Sequence, residues 1–266
     1  MFKIRNSNKK KLLVLAIILV IIAGGYLNRA YSHIYGVLGA ADLRPANGQG
    51  TYLIGGTNLI EGVNQINNMA TTSLIYVALG DSLTAGVGTD SYQEILPYLL
   101  AEKFAAGEKT IVLKNHSVPG AETADVVTDL LSTAINDNPD IVTLLIGVND
   151  IHNKVSAAKF TENYEEILNR LQRGTRAKIY VINLPFLGSD KLMLPPYQSL
   201  FDARTREFNE IIKGLADKYS VQYIDLYTPT VELFKRSGDH YSKDLFHPSA
   251  GGYKLWADII YDRINN

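Results

Sequence analysis

Leu74-Ile75-Tyr76-Val77-Ala78-Leu79 runs directly into Gly80-Asp81-Ser82-Leu83-Thr84-Ala85-Gly86. Six uncharged, mostly aliphatic residues without polar alternation read as a strand buried on both faces, as in a parallel sheet covered by helices. Comparable runs, rich in β-branched residues, recur at Ile111–Lys114, Ile141–Ile146, Lys178–Leu184 and Val221–Leu226. Longer stretches of helical character separate and follow them: Tyr92–Ala106, Thr123–Ile135, Ala157–Arg173, Tyr197–Tyr219 and Ser249–Ile264. This alternation predicts an α/β three-layer sandwich with a five-stranded parallel sheet and right-handed crossovers, spanning residues 74–266. No internal repeat is visible.

Upstream the character changes. Residues 1–30 hold six bases and no acid, and Lys9-Lys10-Lys11 precedes an uncharged run from Leu12 to Leu27. Sixteen helical residues span roughly 24 Å, a little short of a hydrocarbon core of about 30 Å, and Lys11 and Arg29 are long enough to snorkel across the difference. The basic cluster predicts a cytoplasmic N-terminus with everything after the run outside. The run predicts an uncleaved anchor, a single-pass cell-membrane protein with its domain outside. The alternative is secretion after cleavage of a signal peptide at Ala23-Gly24-Gly25 or Ala30-Tyr31-Ser32. A buried core helix gives the preceding bases no purpose, and without cysteine there is no lipoprotein cleavage motif. Residues 31–73 read as a spacer, with Pro45-Ala46-Asn47-Gly48-Gln49-Gly50 and Gly55-Gly56 breaking any period.

Beyond residue 30 the chain holds 20 basic against 27 acidic residues, a net of −7. Such a body has no field to attract a polyanion, so nucleic acid is not an expected partner. Zero cysteines exclude disulfides, thiolate metal sites and a cysteine nucleophile.

Ligands of such sheets bind at the carboxyl ends of the strands, which directs attention to four loops. After the first strand, Ser82 presents a hydroxyl and its own N–H at the sheet edge, although Asp-Ser is equally a good turn or helix cap. After the second strand comes Asn115-His116-Ser117-Val118-Pro119-Gly120-Ala121-Glu122-Thr123, in which Gly120 lets backbone approach a ligand. The third strand ends in Gly147-Val148-Asn149-Asp150, with an amide suited to donate to an oxyanion. Before the last helix stands Asp244-Leu245-Phe246-His247-Pro248, where a carboxylate three residues from an imidazole can fix its tautomer.

These four blocks, in this order and after these strands, resemble the SGNH (GDSL-type) hydrolase family of esterases and lipases, over about Ile75 to Ile260. The resemblance implies a flavodoxin-like sandwich without metal or cofactor. It also implies catalytic Ser82, Asp244 and His247: Ser82 as nucleophile, His247 as general base and Asp244 as its orienting partner. The oxyanion hole would combine the N–H groups of Ser82 and Gly120 with the side chain of Asn149. The second block departs from the family pattern at Ser117 and Pro119. Pro119 has no N–H to give, while Gly120 keeps its own. The implied chemistry is hydrolysis of a carboxylic ester of a small molecule, a lipid or an acylated glycan. Transfer of the acyl group to an alcohol and a tethered binding module are the rival readings.

Asp81 and Asp150 are expected to brace their loops. His33, His116, His152 and His240 are expected on the surface or in the spacer, with no carboxylate placed as Asp244 is, and His116 lies nearest the site. Leu192, Met193, Leu194, Pro195 and Pro196, in the loop Phe186–Ser199, form either an acyl-binding wall or packing on the sheet edge.

Overall fold

A computed structural model describes residues 3–40, 48–55, 73–105, 110–236 and 238–265. Helix α1 (Lys3–Ala40) comes first, and its part from Lys9 onward is long and apolar enough to cross a membrane. The strands are β1 (Gly50–Ile54), β2 (Ser73–Gly80), β3 (Thr110–Asn115), β4 (Ile141–Leu145), β5 (Lys178–Ile182) and β6 (Gln222–Ile224). They form one six-stranded sheet in the order β1-β3-β2-β4-β5-β6. The five strands expected from the sequence pair in parallel, in the flavodoxin-like order. Val77–Gly80 of β2 and Val142–Leu145 of β4 are wholly buried, as central strands covered on both faces must be.

The addition is β1, which pairs antiparallel with β3 at the edge, Gly50 opposite Asn115 and Ile54 opposite Ile111. It lies inside the expected spacer. Thr51, Tyr52, Leu53 and Ile54 cap an edge that would otherwise leave β3 with open backbone groups. Tyr52 stacks on Tyr92 at 5.1 Å, fastening the strand to the domain. The first ten residues of that spacer, 31–40, instead continue helix α1, and its residues 41–47 and 56–72 lie outside the described residues, as does Ala106.

Helices α3 (Leu96–Phe104) and α10 (Ala250–Asn265) pack together in one layer. Helices α5 (Leu131–Asn136), α7 (Ala157–Gly174) and α8 (Tyr197–Lys218) make up the other. The remaining helices are short: α2 (Ser82–Ala85), α4 (Thr123–Asp125), α6 (Val148–His152) and α9 (Tyr227–Arg236). The helix expected from Tyr92 begins instead at Leu96, with Pro97 in its first turn, where a missing N–H costs no hydrogen bond. A single π turn, Val126–Leu130, joins α4 to α5.

The sheet's order reverses between β2 and β4. At such a switch point the loops leave in opposite directions and open a crevice beyond the strand ends. Both the Ser82 and the Asn149 turns stand there.

Candidate active site

Ser82 opens α2 directly after β2, so its hydroxyl and N–H stand at the sheet's upper edge. Asp81 caps that turn, its Oδ1 accepting the Leu83 N–H at 2.9 Å. Gly80 is required just before it, because a Cβ there would lie 2.5 Å from the Leu145 carbonyl oxygen. That close approach sets the serine turn beside the end of β4, from which Asn149 rises on α6.

The last block arrives from far along the chain. Leu245 takes a left-handed φ of 60° and turns the segment tightly. Asp244 Oδ1 then accepts the N–H groups of Phe246 and His247, both at 2.9 Å, and the Ser242 hydroxyl at 2.7 Å. Its Oδ2 lies 2.5 Å from His247 Nδ1, and His247 Nε2 lies 2.9 Å from Ser82 Oγ. Burial alone would raise the Asp244 pKa. The hydrogen bond and charge of His247, with the Phe246 N–H and the Ser242 hydroxyl, outweigh burial and hold it below the usual carboxylate value. Asp244 therefore stays ionised beside the imidazole.

Gly120 has φ +86°, a backbone shape that favours glycine, and the space where a Cβ would stand is open. Its loop is fixed from both sides. The Val118 N–H donates to Gly80 O at 3.0 Å, the Ala121 N–H closes a turn on Val118 O at 3.0 Å, and Asn149 Nδ2 donates to Ala121 O at 3.0 Å. The Gln49 side chain, just ahead of β1, donates to Ser117 O. Asp150 accepts both the N–H (3.0 Å) and the hydroxyl (2.5 Å) of Thr123, and Asn163 Nδ2 reaches the same hydroxyl at 3.1 Å. Sequence reasoning missed Gln49, Thr123, Asn163 and Ser242. Of these, only Ser242, two residues before Asp244, left a local signal. The bracing roles expected of Asp81 and Asp150 are the ones the hydrogen bonds provide.

The histidines divide. His247 meets Ser82, whereas His33 bonds Lys191 O at 2.8 Å, His152 faces the Tyr35 ring at 6.2 Å and His240 faces Phe234 at 5.2 Å. His116 departs from expectation: its Nε2 pairs with Asp137 Oδ2 at 2.5 Å, and Asp137 also holds Lys114. A carboxylate 21 residues away leaves no spacing signal. Of the apolar loop, Leu192 and Met193 are buried against the domain, whereas Pro195 and Pro196 are exposed. Among the described residues no group of three or more His, Asp or Glu side chains gathers to hold a metal ion.

Asp81 is wholly buried and its Oδ2 has no hydrogen-bond partner. Burial, reinforced by the Asp150 charge and opposed by the Leu83 N–H, pushes its pKa up to about 7. An unfolded aspartate loses its proton near pH ~4. Between that pH and about 7 the folded state retains a proton that the unfolded state has released, so this group's contribution to stability falls as pH rises. Asp81→Asn removes that dependence and keeps an acceptor for Leu83. Thermal melts should show the variant gaining on the parent from about pH 4 to about pH 7 and levelling off above. A difference that does not change with pH would contradict this account of Asp81.

At the switch point of this flavodoxin-like sandwich, Ser82, His247 and Asp244 stand in one hydrogen-bonded chain. The chain belongs to the GDSL-like lipase/acylhydrolase family, whose model matches residues 78–255. A GDSL-like esterase of Mycobacterium tuberculosis is 26% identical over 189 residues, which cover 68% of this chain and 59% of that protein. The spore germination lipase LipC of Bacillus licheniformis is 24% identical over 214 residues, 71% of this chain and 95% of that protein. The crystal structure of a lipase/acylhydrolase from Enterococcus faecalis superposes with a TM-score of 0.60 at 25% identity, covering 72% of this chain and 95% of that one.

Proposed function

We propose that this protein is a serine esterase held on the outer face of the cell membrane, acting on an ester of a lipid or an acylated glycan. The observation that carries the reading is the continuous chain Ser82 Oγ, His247 Nε2, His247 Nδ1, Asp244 Oδ2, with contacts of 2.9 and 2.5 Å.

In the reaction His247 Nε2 takes the Ser82 proton as Oγ attacks the ester carbonyl carbon. Asp244 keeps the other ring nitrogen protonated and steadies the imidazolium that forms. Negative charge gathers on the former carbonyl oxygen, where the Ser82 and Gly120 N–H groups and Asn149 Nδ2 receive it. An amide nitrogen carries two hydrogens. One of Asn149's goes to Ala121 O, leaving the second for the oxyanion. Collapse expels the alcohol with the proton from His247. Water then attacks the acyl-serine, its proton passing to His247 and on to Ser82 as the acid leaves.

The outward placement rests on α1, with its lysine cluster before the apolar run. A soluble ester tests the chemistry. The full chain in detergent should cleave p-nitrophenyl butyrate and Ser82→Ala should not. Cleavage surviving in that variant would put the nucleophile elsewhere.

A further inference from the structure

Helix α1 does not stop where its apolar run ends. Its aliphatic residues from Leu12 to Ile22 are 46–71% exposed. Ala30, by contrast, is 1% exposed, and Ile34, Val37 and Leu38 are half-buried. Positions 30, 34, 37 and 38 make one stripe of a helix, so a single face of the juxtamembrane segment is covered by the domain.

What it touches is the border of the candidate site. The Tyr197 hydroxyl at the start of α8 donates to Leu27 O at 3.2 Å, and the Tyr197 ring lies 6.0 Å from that of Tyr31. One turn further along α8, Phe201 meets Phe246 at 6.2 Å, and Phe246 meets the His247 ring at 5.2 Å. His33 bonds Lys191 O in the loop whose Ser189 N–H donates to Leu245 O at 2.9 Å. Tyr35 faces His152, which ends the helix that carries Asn149. Three separate contacts thus reach the elements carrying Asn149 and His247.

Distance from the bilayer follows from helix geometry. The contacts fall between Leu27 and Tyr35, eight residues or about 12 Å beyond the apolar run. A rigid helix of that length keeps the carboxyl-end edge of the sheet close to the hydrocarbon boundary. Leu200 (62% exposed), beside Tyr197, and Val118 (38% exposed), in the Gly120 loop, present apolar side chains that a lipid interface would cover.

We infer that the juxtamembrane half of α1 is a strut holding the site edge against the outer leaflet, and that the substrate is an ester-linked lipid of that leaflet. The inference rests on the membrane-held esterase reading and selects the lipid from its two substrate classes. Tyr197 and Tyr31 are positioning residues, since they fasten α8 to the strut and touch no substrate.

The full chain, reconstituted in vesicles of phosphatidylcholine and phosphatidylglycerol, tests it against a variant with a flexible Gly/Ser segment inserted after Arg29. Release of fatty acid from the vesicles should drop by about tenfold or more in the variant, because a flexible tether dilutes the site away from the surface. Cleavage of p-nitrophenyl butyrate by the same samples should be unchanged, which also reports that the domain is folded. Tyr197→Ala should lower fatty-acid release in the same direction by a smaller factor. Equal fatty-acid release with and without the insertion would overturn the strut. A parent that cleaves the nitrophenyl ester but frees no fatty acid would overturn the lipid assignment and leave the esterase reading standing. A parent that cleaves neither would remove the esterase reading itself.

Discussion

Ser82→Ala, His247→Ala and the double variant are expected to fall to nearly the same residual activity, a loss of about 10⁴–10⁶-fold in kcat on a soluble ester. The equality is the informative part. His247 Nε2 stands 2.9 Å from Ser82 Oγ, so the proposed chemistry makes each residue's contribution conditional on the other. A serine without its base is a poor nucleophile, and a base without its serine has no proton to take. Losses that multiplied in the double variant would mean that the two act independently. Asp244→Ala should be milder, on the order of 10²-fold less costly, because the carboxylate orients the imidazole without touching substrate.

Asn149→Ala should lower kcat by about 10²–10³-fold with a much smaller change in KM, since an oxyanion donor acts on charge that develops only in the transition state. The same side chain also donates to Ala121 O, so a structural role has to be separated from the chemical one. A structural role alone would shift KM and the melting temperature together and spare kcat. Steady-state kinetics beside a thermal melt distinguish the two.

The parts of the molecule legible in the sequence are those where local pattern and burial agree. Val77–Leu79 and Val142–Leu145 are buried on both faces, and unbroken aliphatic runs announce that without tertiary information. The residues of the candidate site were legible for a related reason. Ser82, Gly120 and Asn149 each follow a strand end, and Asp244 and His247 lie three apart.

What escaped depends on distance along the chain. Asn163 reaches Thr123 across 40 residues and Gln49 reaches Ser117 across 68, and neither spacing leaves a periodic trace. Strand β1 is five residues long between glycines and is partly exposed, so it lacks the continuous apolar run that marked its neighbours. Its strand character comes from pairing with β3, a tertiary fact. The docking of α1 was hidden for another reason. Ala30, Ile34 and Leu38 continue a helix whose apolar stretch already reads as a membrane-crossing segment by length and composition, so their packing against protein has no separate signal.

Everything proposed for the site depends on Ser82 being an activated nucleophile. Labelling with a fluorophosphonate tests it most directly, because the reagent needs the activated hydroxyl and no particular substrate. One phosphonyl group per parent chain is expected, mapped by peptide mass spectrometry to the segment containing Ser82. Labelling should be lost in Ser82→Ala and strongly slowed in His247→Ala. Parent-like labelling of Ser82→Ala, or a phosphonyl group mapped to another residue in the parent, would contradict it.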